Sequence, residues 1–174
     1  MRGSRFRVAA AAGVAIAGAI GIAVALAVPN PNVKGTLSGY QEVPAISSDA
    51  GGSFEAKLKG AGPVRYELRY RGVPEVTQAH LHFGQRGVNG GIVVFLCTNL
   101  GNGPEGTPAC PAGQATLTGA FAADDVVNAA ASQGIEAGEL GEVKRAIRAG
   151  VVYANVHTED FAGGEIRAQL RAKK

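Results

Sequence analysis

The sequence predicts an all-β domain, an antiparallel sandwich or barrel of about eight strands with a short helical insertion near residues 124–149. Three observations carry this. Several segments alternate apolar and polar residues with period two, as strands do when one face packs and the other stays polar. Gly, Pro and Asn punctuate the chain at hairpin spacing. Helical periodicity is confined to the single stretch that leads up to Gly150.

Before the first strand comes a targeting pattern. Residues 1–7 carry Arg2, Arg5 and Arg7 and no acid, and an apolar stretch from Val8 to Val28 follows, ending at Pro29-Asn30-Pro31-Asn32. With the small residues Ala25-Leu26-Ala27, this is the layout of a secretory signal peptide. The stretch is also long enough to span a bilayer as an uncleaved anchor helix. Its Ala, Gly and Val content favours cleavage near Ala27. The expected division is 1–27 signal peptide or membrane anchor, 28–33 linker, 34–171 β domain and 172–174 tail. Either way the domain is secreted or held at the cell surface, and a membrane is involved only through a retained N-terminal segment.

Charge argues against one class of partner. Of 17 basic residues three precede Val8, while all 14 acids follow it, so the remaining chain has 14 of each. The basic excess belongs to the targeting segment, and no cationic footprint for nucleic acid is expected.

Strands are expected at 33–41, 53–59, 64–71, 75–83, 91–97, 114–121, 151–157 and 164–170. Phe54, Ala56 and Leu58 oppose Glu55, Lys57 and Lys59, residues 64–71 alternate without a fault, and Gly60-Ala61-Gly62-Pro63 between them is a hairpin turn. Residues 139–148 read as a helix with Leu140, Val143 and Ile147 on one stripe, acids first, bases last, and Gly150 beyond. A second short helix is expected after Asp124, with Val126 and Val127 inward and Gly134 at its end. The insertion should cover one end of the sandwich.

Cys97 and Cys110 bracket a loop rich in Gly, Pro and Asn. In an exported chain an even pair of this kind predicts a disulfide.

The three histidines occupy two of the predicted strands, in Ala79-His80-Leu81-His82-Phe83 and Tyr153-Ala154-Asn155-Val156-His157. Alternation puts His80 and His82 on the face opposite Ala79, Leu81 and Phe83. His157 shares a face with Tyr153 and Asn155. If the strands are neighbours, three imidazoles converge on one accessible outer sheet face.

These same segments carry a family resemblance. Ala79–Gly84, leading through Asn89-Gly90-Gly91 into Ile92–Cys97, resembles the first signature of the CHRD (chordin) domain. Residues 146–158, running on to Gly164-Glu165-Ile166-Arg167, resemble the second, and Leu37–Pro44 resembles the opening strand. The resemblance covers about Lys34 to Leu170. It implies an extracellular all-β domain of Greek-key sandwich architecture, in the manner of single-domain bacterial members with a signal segment.

Two readings of function follow. One is a non-catalytic binding or structural module, whose partner would be an extracytoplasmic protein or surface ligand that the sequence does not name. There the histidines brace the sheet, and no cofactor is needed. The alternative is a mononuclear copper- or zinc-binding protein with His80, His82 and His157 as ligands. Imidazoles at i and i+2 on a strand can grip one cation, as copper ligands are presented in copper–zinc superoxide dismutase. Glu165 and Asn155 are the candidate supporting residues, Glu165 by accepting a hydrogen bond from a ligand imidazole. Three histidines are too few for a dinuclear dismutase site. No catalytic residue is assigned: the serines lack a nucleophile-elbow setting, both cysteines are expected to be oxidised, and no Gly-rich phosphate loop joins a strand to a helix.

Overall fold

A computed structural model describes residues 31–172. The predicted signal or anchor segment, residues 28–30 of the linker, and Lys173-Lys174 lie outside the described residues. The elements are β1 (Asn32–Ser38), β2 (Gly51–Lys57), β3 (Val64–Arg71), β4 (Val76–Phe83), β5 (Gly91–Thr98), β6 (Ala115–Phe121), α1 (Leu140–Arg148), β7 (Val152–Thr158), β8 (Ile166–Gln169) and β9 (Arg171–Ala172).

All eight expected strands are present, with shifted ends. β1 stops at Ser38 because Gly39–Gln41 forms a 3-10 turn, whose Gly39 carbonyl accepts from the amides of Glu42 and Ile46. The predicted last strand is interrupted at Leu170, and β9 continues the pairing of β8 with β1 in the same register.

Every strand pairing is antiparallel, in the order β5-β4-β7-β8-β1-β2-β3-β6. β3 pairs with β6 rather than with β4, so long connections cross the sheet in Greek-key manner. The sheet curls into a nearly closed, barrel-like sandwich. Its ends meet where Val94 bridges Val126 and where the Tyr66 hydroxyl on β3 donates to the Leu96 carbonyl on β5 at 3.1 Å.

The apolar members of each alternating strand meet inside. Leu37, Phe54, Leu68, Leu81, Phe121, Val156 and Ile166 are all fully buried or nearly so. Each contributes roughly 1.5–3 kcal/mol of hydrophobic stabilisation relative to exposure. The polar alternates therefore fall on the outer face, and that parity decides where the histidines go.

The insertion is partly as expected. α1 buries Leu140, Val143 and Ile147, and its Lys144 ammonium donates to the carbonyls of Gly60 and Gly62, so the helix caps the β2–β3 turn. The second helix differs. It is two 3-10 turns, Ala123–Asp125 and Asn128–Gln133, and Val126 between them is drawn into the bridge with Val94 instead of a helical face. Val127 is half-buried, and Gly134, at φ +88°, ends the second turn.

Cys97 and Cys110 form the predicted disulfide, with Cα atoms 5.0 Å apart. It ties the end of β5 to the segment entering β6. Replacing both cysteines by alanine should lower stability by about 3 kcal/mol, the loop-closure value for a loop of this size. Urea titration of the two proteins checks this, and a loss below about 1 kcal/mol would contradict it.

Candidate functional site

Register brings the two histidine strands together. β4 and β7 are neighbours, with His80 opposite Asn155 and His82 opposite Tyr153. His157 sits opposite Gln78, one pleat from His80 on the same face. One ring nitrogen from each histidine lies within 4.8 Å of the other two. Three points so spaced share a centre no more than about 2.8 Å from each, against ~2.0–2.1 Å for a bound transition metal.

The expectation of an accessible face is corrected. His80 is 0 % exposed, His157 5 % and His82 8 %. Three connections fold over this side of the sheet. The 84–90 loop is held by Arg167, which donates to Asn89 Oδ1 at 3.0 Å and to the Val88 carbonyl at 2.7 Å. The 39–46 loop is tied to it where Asn89 Nδ2 donates to the Val43 carbonyl at 3.1 Å. The 159–164 turn closes beside His157. A strand's alternation gives the direction of a side chain, and loops set what lies above it.

The covering loops also fix the rings. His82 Nδ1 is 3.0 Å from the Gly90 carbonyl, and His157 Nδ1 is 3.0 Å from the Ala162 carbonyl. A carbonyl only accepts, so each Nδ1 carries the proton and each Nε2 keeps a bare lone pair. His82 Nε2 and His80 Nε2 have no hydrogen-bond partner among the described residues. His80 Nδ1 and His157 Nε2 stand 3.3 Å apart. That is long for a hydrogen bond and close to the ligand–ligand edge of about 3.3 Å in a tetrahedral site with ~2.05 Å bonds.

Burial keeps all three rings neutral. It lowers His80 to about 2, with the neighbouring His157 and His82 acting in the same direction. His82 is lowered to about 4, chiefly by burial, against the opposing pull of the Gly90 carbonyl. Burial also lowers His157, which the Ala162 carbonyl partly offsets. Neutral imidazole is the form that ligates metals.

Aromatic rings frame the group. Phe95 meets His80 edge-on at 4.4 Å, and Tyr153 stacks on His82 at 4.7 Å with planes 3° apart. From β8, on the far side of β7, the Arg167 guanidinium lies 3.4 Å from the centre of the Tyr153 ring. Two glycines are required by this packing. A Cβ on Gly90 would stand 1.7 Å from the Phe83 carbonyl oxygen. One on Gly164, at φ +119°, would strike Asn155 and Glu42.

A sequence model of the CHRD domain matches residues 33–170, from the second residue of β1 to the residue after β8. The chain belongs to the CHRD domain family. No curated protein matches the chain. Both resembling segments of this CHRD domain end at the histidine group, the first supplying His80, His82 and Gly90 and the second His157 and Ala162.

Neither of the two expected supporting residues hydrogen-bonds a histidine among the described contacts. Glu165 accepts from Ser48 Oγ at 2.6 Å and from Thr158 Oγ1 at 2.9 Å and bonds to no histidine. Residues 157 and 165 flank a turn whose Ala162 carbonyl, at 3.0 Å from His157 Nδ1, takes the place at that ring. Asn155 lies between His80 and Arg167 in register, and its Oδ1 has no partner among the described residues. Sequence reading missed the Gly90 and Ala162 carbonyls, which no side-chain pattern marks. It also missed the Arg167–Tyr153 stack, although both residues were on the right face.

Proposed function

We propose that this CHRD domain is an extracytoplasmic, non-catalytic binding and structural module whose ligand at the histidine face is a single copper or zinc ion. The observation that carries the metal reading is the direction of the lone pairs. Three neutral imidazoles sit around one point with two of their Nδ1 protons committed to backbone carbonyls, which leaves His82 Nε2 basic and unpartnered among the described residues and His157 Nε2 basic with only His80 Nδ1 beside it, at 3.3 Å. Buried polar atoms are ordinarily satisfied, and a cation satisfies several at once. The family and the disulfide are consistent with an extracellular setting. Within it, His80, His82 and His157 would hold the ion, and Gly90 and Ala162 would orient two of the ligands.

The competing reading within the same module is a metal-free brace, in which His80 Nδ1 donates to His157 Nε2. Metal loading separates the two. The protein, expressed from the full chain and exported, is loaded with copper or zinc, dialysed against a weak chelator and assayed for metal by mass spectrometry. About one ion per chain is expected, with copper held more tightly than zinc. His82→Ala or His157→Ala should weaken retention at least about a hundredfold, beyond the 10–100-fold typical of supporting residues. Failure of the unaltered protein to retain either ion at micromolar concentration would leave only the brace.

A further inference from the structure

We propose that the outer face of β1, β2, β3 and β6, remote in the strand order from the histidine strands, binds a linear polyanion: a polysaccharide carrying carboxylate or sulfate groups. The described residues are close to neutral, with 12 lysines and arginines against 14 acids, but the fold sorts these charges. Register places Lys57 directly opposite Arg65. The next row outward runs Arg171, Lys34, Glu55, Glu67. Arg69 and Arg71 follow along β3, and Lys59 projects just beyond β2. Seven of the 12 bases thus share this face with two of the 14 acids, and the rest of the described chain carries five bases and 12 acids.

Opposed like charges such as Lys57 and Arg65 destabilise a sheet slightly, so folding alone does not favour this arrangement. Both acids of the face are already engaged, Glu67 by Arg69 at 2.9 Å. Two acids cannot neutralise seven cations, and the field that remains would draw in an anionic partner.

Shape selects the kind of partner. Two hollows of about 530 and 460 Å³ lie in this one face. The first is bounded by Lys57, Lys59 and Arg65 together with both acids of the face, Glu55 and Glu67, and the second by Arg69, Arg71 and Thr116 with no acid. They follow the strands over roughly 20 Å, the length of β1 at ~3.3 Å per residue. An extended chain laid along the strands can reach the cations of both hollows at once, which a small anion cannot. The side chains between the cations are hydroxyls, Thr36, Ser53, Thr116 and Thr118, which suit the hydroxyls of a sugar chain better than apolar peptide side chains.

The test uses the exported protein, with dextran sulfate and polygalacturonate as probes, neutral dextran as control and phosphatidylglycerol vesicles as the alternative surface. Both polyanions should bind, and binding should weaken about tenfold or more between 50 and 500 mM salt, as screening requires. Lys57→Gln/Arg65→Gln should weaken it about tenfold. Arg86→Gln/Arg145→Gln, the same charge change on other faces, should alter it less than about twofold. These exposed substitutions should leave the melting midpoint in place, and metal retention should not respond to either pair. The proposal is overturned if both pairs weaken binding alike, if neutral dextran binds equally, or if vesicles bind while the polyanions do not.

Discussion

Replacing Arg167 by alanine should destabilise the domain by about 3–5 kcal/mol, the range for removing one partner of a buried, hydrogen-bonded charge. Arg167 is 1 % exposed and comes from the middle of β8. Its guanidinium donates to Asn89 Oδ1 and to the Val88 and Gln85 carbonyls, and it stacks on Tyr153. Removing it leaves those acceptors unpaired and frees the 84–90 loop whose Gly90 carbonyl holds His82. Glu42 would lose the cation that opposes its burial, a burial that already pushes its carboxyl up to about 7. Arg167→Lys should recover only part of the loss, because a single ammonium cannot span three acceptors and cover an aromatic ring. Urea midpoints at constant slope measure the change. Amide exchange at Gly90 reports whether the loop opens with it. A loss below about 1 kcal/mol would mean that the loop is held by other contacts.

Acidification should cost the metal-free protein roughly 3–5 kcal/mol of stability between pH 7 and pH 4. The sign follows from which state takes up protons. His80 and His82 titrate near 6.5 when unfolded but at about 2 and about 4 when folded, and His157 is lowered as well. Below pH 6.5 the unfolded chain therefore binds protons that the folded chain refuses, and stability falls as pH falls toward 4. Glu42 opposes this. Its folded value of about 7 exceeds the ordinary 4.5 of a glutamate, so it contributes stability that grows as pH falls through 7. Three imidazoles against one carboxyl leave a net loss on acidification. The slope is about 1.4 kcal/mol per pH unit for each excess proton. Urea midpoints measured every half pH unit give it directly, and His80→Gln should reduce it by about one proton. A stability profile that is flat or rises toward pH 4 would show that the rings are hydrated and ordinary.

The eight main strands were legible because their alternation is driven by burial, and burial is what closed the sheet. Phe54, Ala56 and Leu58 opposite Glu55, Lys57 and Lys59 state the inside and outside of β2 directly. Where signals were mixed, tertiary contacts decided. The stretch after Asp124 reads as a helix with Val126 and Val127 inward and Gly134 at its end, yet a strand edge at Val94 offers Val126 a backbone partner, and the helix gives way to 3-10 turns. β9 is two residues long, too short to carry a period, and exists because it continues the register of β8 along β1 past Leu170.

The candidate site was legible in direction but not in depth. His80, His82 and His157 converge as alternation required, and Cys97 pairs with Cys110 as the loop between them suggested. Glu165 illustrates the limit: it lies just before β8, and its partners, Ser48 and Thr158, come from the loop ahead of β2 and from the end of β7.

By itself the sequence determined the all-β class, the strand parity, the disulfide and the three histidines that face one way, since each depends on local periodicity or on composition. The tertiary structure alone decided that the histidines are buried, that the Gly90 and Ala162 carbonyls set two of their tautomers, and that a charge-balanced chain has one strongly basic face. The physical reason is common to all three. Alternation is a property of neighbouring residues, whereas burial, hydrogen-bond partners and charge sorting depend on segments far apart in the chain, brought together only when the sheet curls and its loops fold over it.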